Sequence, residues 1–433
     1  MMVNRRCVPD TPTSGQGDFR YLKIKFDSTQ LSGFTNWKII DLDTNNIVLT
    51  FNKNTTSYIN MGEFKPGEGK LFKLAPAMQE GGTLVDDEEC SGEFDCKGEV
   101  NNNGKNLTIK PSTTINFTNS NARIKMNGGN FKSGYTSVES TGLVNLKNKD
   151  GNFWKGLVLQ NCERVEMLHT YFENISPYEQ DSTYAADIIN CDFINISNCS
   201  FRSEMDINAG GVRANFISNS ENPFEAYILN STFEMDAGNI PALSFISSGG
   251  ITLPLIIDNN SFTSLSTNSA NAIFLSNISG GVVKNNTITD YKNGIFMLSS
   301  SMDFYNNVIE GSSDNSIGIQ SYAQSNMSLA NSGIYYTGEL NVITSVGADS
   351  KCLFVHKSNF AIYKGENTFN LNNYQSGNTF HLSGWLSANS GIEPVDVYGN
   401  CYQVSANNTN AVHNVKWRNG IPVILILNHI VVR

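Results

Sequence analysis

Between residues 165 and 402 one eight-residue frame recurs: two apolar residues two apart, a polar step, one or two Asn, and a closing bulky apolar residue. It reads INISNCSF at 194–201, AYILNSTF at 226–233, LIIDNNSF at 255–262, GVVKNNTI at 281–288 and MDFYNNVI at 302–309. VEMLHTYF at 165–172 fits with His169 in the Asn slot, and VDVYGNCY at 395–402 fits with Gly399 there. GELNVI at 338–343 and GENTF at 365–369 are looser copies. The closing residues 172, 201, 233, 262, 288, 309, 343, 369 and 402 stand 29, 32, 29, 26, 21, 34, 26 and 33 apart. A second, weaker strand follows several copies, as in AIFLS at 272–276 and GIFML at 294–298. No ten-residue helical pattern separates the copies, which disfavours βαβ units. A period in the twenties, all strand, reads as a coil of strands stacked on the coil below.

Stacking explains the residue choice. Coils about 4.8 Å apart place like residues over one another. The positions five before each closing residue (Ile196, Ile228, Ile257, Val283, Phe304) point inward, as do Ile194, Leu255 and Met302 seven before it. Asn tolerates the left-handed backbone of a tight corner, and stacked amides hydrogen-bond along the axis. Asn198, Asn230, Asn259, Asn285 and Asn306 are therefore expected to form a ladder. The fold expected is all-β: a right-handed parallel β-helix of about ten coils over 104–405, the hand following the rule for parallel crossovers. A C-terminal strand or cap segment follows at 406–433. Residues 1–76 differ: YLKIKF (21–26), WKII (37–40), IVLTF (47–51) and LFKL (71–74), separated by turn residues, read as a small β-sandwich. Residues 77–103, with VDDEECSGEFDC at 85–96, read as an acidic connector and coil cap.

The formal net charge is −10. That argues against nucleic acid as a partner, and against an electrostatic grip on acidic polysaccharides without a metal ion. Charged residues are 16%, against about 25% in ordinary globular chains. No 18-residue apolar run suggests a membrane span, and no signal peptide follows Met1. The eight cysteines form no CxxC pair or Cys/His cluster. Cys162, Cys191, Cys199 and Cys401 read as small core residues, while Cys90 and Cys96 could instead close a short disulfide loop.

The repeats resemble those of the pectin-lyase-like superfamily, over about two thirds of the chain. WKIIDL at 37–42 and PGEGKLF at 66–72 resemble the β-sandwich that often trails a catalytic domain in secreted, surface-bound bacterial glycoside hydrolases. The two resemblances imply a piece of a larger, multidomain bacterial surface protein, monomeric and extracellular or at the cell surface.

Chemistry is sparse. Glycoside hydrolysis needs two carboxylates about 5–10 Å apart, yet the outward positions Glu166, Asn195, Tyr227, Ile256, Val282 and Asp303 place no two acids side by side. The motif series of polygalacturonases is absent, and Arg123, Ile124 and Lys125 match only its last member, at the wrong place in the chain. No cofactor is expected. Calcium is the one metal with candidate ligands, at Asp86, Asp87, Glu88, Glu89, Glu93 and Asp95, which read better as a solvated linker. His169 reads as structural, and His356 and His381 are isolated. Phe274 and Phe296 fall at matching positions of adjacent coils, either as a sugar-stacking platform or as packing under a loop. Tyr227, Tyr305, Tyr335, Tyr336 and Tyr363 complete a candidate carbohydrate set. The expected function is a non-catalytic module that binds carbohydrate or displays an interaction surface. The alternatives are a polysaccharide lyase or glycoside hydrolase, and a structural stalk. Inserts around 173–184, 202–222 and 370–394 are where further acids could enter.

Overall fold

The computed structural model of the chain describes residues 2–3, 20–25, 27, 31, 33–56, 58–65, 68–134, 142–149, 154–173, 184–203, 209–217, 224–235, 238, 240–252, 254–265 and 271–311. Beyond these it describes the strand segments 317–322, 326–329, 341–345, 351–356, 359–362, 367–370, 381–383, 395–398 and 415–418. The architecture is all-β, with long parallel sheets wound as a β-helix.

Each coil contributes three strands. Third strands stack into an eleven-stranded parallel sheet. First and second strands lie in one twenty-two-stranded sheet, continuous because Leu243–Thr252 and Asn271–Lys284 run from one face to the next. The closing residues of the frame lie on the third face in register, Phe172 with Phe201, then Phe233, Phe262, Ile288, Ile309, Ile343 and Phe369. The four phenylalanine rings at 172, 201, 233 and 262 stack at 4.6, 4.8 and 4.7 Å, the pitch of the coils. The inward positions of the second face, Ile196, Ile228, Ile257, Val283 and Phe304, are fully buried beside them. The weaker strand after each copy is the first strand of the next coil.

The coil begins earlier than the expected boundary at 104. Gly82–Thr83, Glu88–Cys90 and Glu93–Cys96 are parallel partners of Glu99–Asn101, Leu107–Ile109 and Thr114–Phe117. The acidic segment is thus the first coil and not a connector. Its apolar residues Leu84, Cys90, Phe94 and Cys96 are buried in the common core. Its acids pair upward: Glu89 with Lys110 at 2.6 Å, Asp95 with Lys149 at 3.0 Å, and Asp87 with the side-chain and backbone N–H groups of Asn106 at 2.9 Å. Cys90, Cys96, Cys162, Cys191 and Cys199 are free, buried thiols, so Cys90 and Cys96 are not joined.

Ahead of the coil, Arg20–Lys25 pairs antiparallel with Tyr58–Phe64, and Asn36–Asp41 lies between Asn46–Asn52 and Phe72–Pro76. These two small sheets share a core of Leu31, Ile39, Phe51 and Ile59. Asn36 and Glu88 fix them to the first coil. The Glu88 carboxylate accepts from the backbone N–H of Thr35 at 2.6 Å, and from Asn36 through its backbone at 2.8 Å and its side chain at 2.9 Å. Asn36 in turn accepts from the backbone N–H of Val85 and Asp86. Toward the C-terminus, Val395–Tyr398 and Val415–Arg418 pair in parallel.

The second corner carries two asparagine columns. Asn198, Asn230, Asn259, Asn285 and Asn306 all have φ between 48 and 56°, and His169 has 46°. Asn259 donates to Asn230 and Asn306 donates to Asn285, each at 2.8 Å, but Asn285 donates to Asp258. That column is exposed. One residue on, Asn260, Asn286 and Asn307 are buried. The Asn260 and Asn286 side-chain amides donate to the Oδ1 above at 3.0 Å and to the carbonyls of Ile228 and Ile257 below. Cys199 and Ser231 fill this buried position in earlier coils, where the Ser231 hydroxyl accepts from the Cys199 backbone N–H.

Two outcomes follow. Asn286→Ala strands the hydrogen-bonding groups of its neighbours in the core, and is expected to cost about 1–3 kcal/mol. Asn285→Gly, which keeps the left-handed backbone, is expected to stay close to the parent. Urea denaturation checks both, and equal losses would contradict the division into buried and exposed columns. The second outcome concerns Glu88, whose pKa burial raises from 4.5 to about 7 against the pull of its three donors. The folded chain then retains a proton that the unfolded chain has lost. This contribution to stability is complete below about pH 4.5 and declines as pH rises to about 7, by about 3 kcal/mol. Glu88→Gln is expected to flatten the thermal midpoint across that interval, and an unchanged slope would refute the assignment.

Candidate functional site

Outward positions of the first strands form a single in-register column. It runs Lys125, Val158, Asp187, Arg213, Ser244, Phe274, Phe296, Gln320. Alternation sets it: Ala186 and Ile188, Val212 and Ala214, and Leu243 and Phe245 on either side point into the core. The column therefore owes nothing to the hydrophobic core, and its chemistry is unusual.

Asp187 is 1% exposed although it points away from the core. It takes the Arg213 guanidinium in two bonds, Nε to Oδ1 at 2.8 Å and one terminal nitrogen to Oδ2 at 2.5 Å. The guanidinium also lies 5.1 Å from the centre of the Tyr184 ring, a cation–π distance. The bond to Asp187 holds Arg213 above its ordinary pKa. Burial pushes the Tyr184 hydroxyl up to about 12. A lyase base must give up its proton before it can take another, so a guanidinium held in this way is a hydrogen-bond donor and not a base. Next on the column stand Ser244, buried, and then Phe274 and Phe296, half-buried, with ring centres 5.4 Å apart and planes at 51°.

The structure distributes the other expected residues differently. Tyr227 belongs to the second face, in register with Asn195 and Ile256. Its hydroxyl donates to Glu225 at 3.3 Å and its ring tilts against Phe193, which the Arg164 guanidinium covers at 4.0 Å. Those contacts make a partly exposed column of their own on that face. Tyr305 is also on the second face, in register with Lys284. Tyr227 and Tyr305 thus do not join Phe274 and Phe296, and Tyr335, Tyr336 and Tyr363 lie outside the described residues. Glu166, the buried acid of the second face, is flanked by Lys132 at 3.2 Å and Arg164 at 3.3 Å. Burial works to raise its pKa, but the two cations hold it below the usual carboxylate value. Arg123 pairs with Glu99 at 2.5 Å in the first coils.

Among the described strands no two carboxylates are register partners. Among the described residues no three His, Cys, Asp or Glu side chains are grouped to hold a metal ion, and no helix is long and apolar enough to cross a membrane. No protein-family model matches the sequence, and no match was found among curated proteins or solved structures.

The sequence reading missed Asp187 and Arg213 because first strands lack the Asn frame that fixes register. The available signal was DIINC at 187–191 against RANFI at 213–217, 26 residues apart and within the range of the repeat. Arg213→Met leaves a buried carboxylate without its partner and is expected to cost about 3–5 kcal/mol. Adding Asp187→Asn is expected to restore most of the loss. A double-mutant cycle by urea denaturation measures it, and additive losses would show that the pair is not coupled.

Proposed function

We propose that the chain is a non-catalytic module of the pectin-lyase-like kind that holds carbohydrate along its first face, at the cell surface or outside the cell. The observation that supports this most is the column itself. A guanidinium fixed in direction and two half-buried aromatic rings stand on one outward column, with the buried Ser244 between them, at positions the core does not require. Aromatic faces and planar polar groups are what sugars present C–H faces and hydroxyls to. The absence of register-paired acids on the described strands and the protonated state of Arg213 favour binding over cleavage. The small sheets before the coil are consistent with a place in a larger surface protein, as the likeness of residues 37–42 and 66–72 to sandwich modules of glycoside hydrolases suggests.

Affinity electrophoresis of the intact chain against a panel of neutral and uronic-acid polysaccharides tests this, with parallel assays for reducing and unsaturated ends. Retardation without products is the expected result. Release of either product would replace the binding module with a hydrolase or lyase. No retardation on any glycan would favour a stalk.

A further inference from the structure

We infer that the first face selects neutral glycans over uronate-bearing ones, an inference that rests on the carbohydrate-binding reading above. The charge of the column carries it. Its central cation, Arg213, is matched one-to-one by Asp187, so the pair presents directed hydrogen bonds and no net charge. Two of the five N–H donors of a guanidinium are engaged by Asp187. The Arg213 side chain is 29% exposed, whereas Asp187 is sealed at 2%, so the accessible side of the pair is the donor side.

Around the pair the outward positions are apolar or neutral. The adjoining column reads Gln160, Ile189, Asn215, Ile246, Ser276, Leu298. At the strand starts Asn293 donates to Asn271 at 2.9 Å, an amide pair three residues before Phe274 and Phe296 on the same two strands. Lys125, the other cation of the column, is two coils below Asp187, beyond Val158. A uronate laid against the pair would lose water and meet a guanidinium already matched by Asp187, in a chain whose own net charge is −10. A neutral sugar meets no such penalty. Its hydroxyls can accept from Arg213 and exchange bonds with the amide pair, while its C–H face packs on Phe274. Arg213 and Phe274 are two coils apart, about 10 Å along the axis, which suits neighbouring sugars of one chain lying along the solenoid.

The test compares the intact chain, Phe274→Ala and Asp187→Asn by calorimetry and affinity electrophoresis. The ligands are galactomannan, mixed-linkage β-glucan and arabinan on one side, and polygalacturonate and alginate, with and without calcium, on the other. A neutral polysaccharide is expected to bind and the uronates are not. Phe274→Ala, at a half-exposed position that leaves the core intact, is expected to weaken neutral binding about tenfold. Asp187→Asn unmasks the guanidinium and is expected to bring measurable binding of polygalacturonate. Uronate binding by the parent chain that falls in Phe274→Ala would overturn neutral selectivity while leaving the carbohydrate reading in place. Neutral binding unmoved by Phe274→Ala would remove the site from this face. Absence of binding to every glycan would remove both readings.

Discussion

Coil-to-coil hydrogen bonding holds only if every coil turns at the same place, and one corner enforces that. From the strand ending at Leu168 to the one starting at Val308, the second and third strands are separated by one or two residues in every coil. The first of these carries the left-handed backbone, at His169, Asn198, Asn230, Asn259, Asn285 and Asn306. The second turns into the core and bonds the next coil, through Asn260, Asn286 and Asn307. A residue inserted there would reverse the facing of the third strand and expel its stacked phenylalanines. The corner from third strand to first has no such duty. It runs from Glu173 to Tyr184 in one coil and from Thr289 to Asn293 in another. The irregular period is therefore the sum of one rigid corner and one permissive corner.

That asymmetry decides where chemistry can accumulate. Inward positions are fixed by packing, and the second corner by hydrogen bonding. The outward positions of the first face are constrained by neither, and they flank the corner where length varies. Loops of variable length on a rigid scaffold are the usual seat of binding. The Asp187–Arg213 pair, buried on the outward side, sits beside these connections. Ion pairs of this sort add little to stability compared with apolar packing. On the proposed reading the pair presents directed donors, while the backbone ladders hold the coils together.

How much was legible follows from the same division. The frame at 194–201 through 302–309 encodes the rigid corner, so fold, register and inward residues could be read directly. The first coil could not, because its copy of the pattern is overlaid by acids that pair with the coils above, as Asp87 does with Asn106 one coil up and Asp95 with Lys149 two coils up. The buried column is half legible: the doubled Asn at 259–260, 285–286 and 306–307 stands in the sequence, where the residue type explains the left-handed backbone of the first member, but only the register of the coils shows that the amide of the second is sealed in the core. Tyr227 and Phe274 were grouped by residue type, and only register separates them onto different faces.

Register also limits what the first face can become. Neighbouring coils bring outward residues to about 4.8 Å, close enough for an acid to be neutralised by the residue above it. On the first face Asp187 meets Arg213 in this way and Glu99 meets Arg123, and on the second Asp258 meets Lys284 at 3.3 Å. A surface made of such ladders tends toward charge balance at each step even where the chain as a whole is acidic. Two carboxylates, or an unpaired base, on successive coils would break such a ladder. The Asp187–Arg213, Glu99–Arg123 and Asp258–Lys284 ladders are each closed by the residue above.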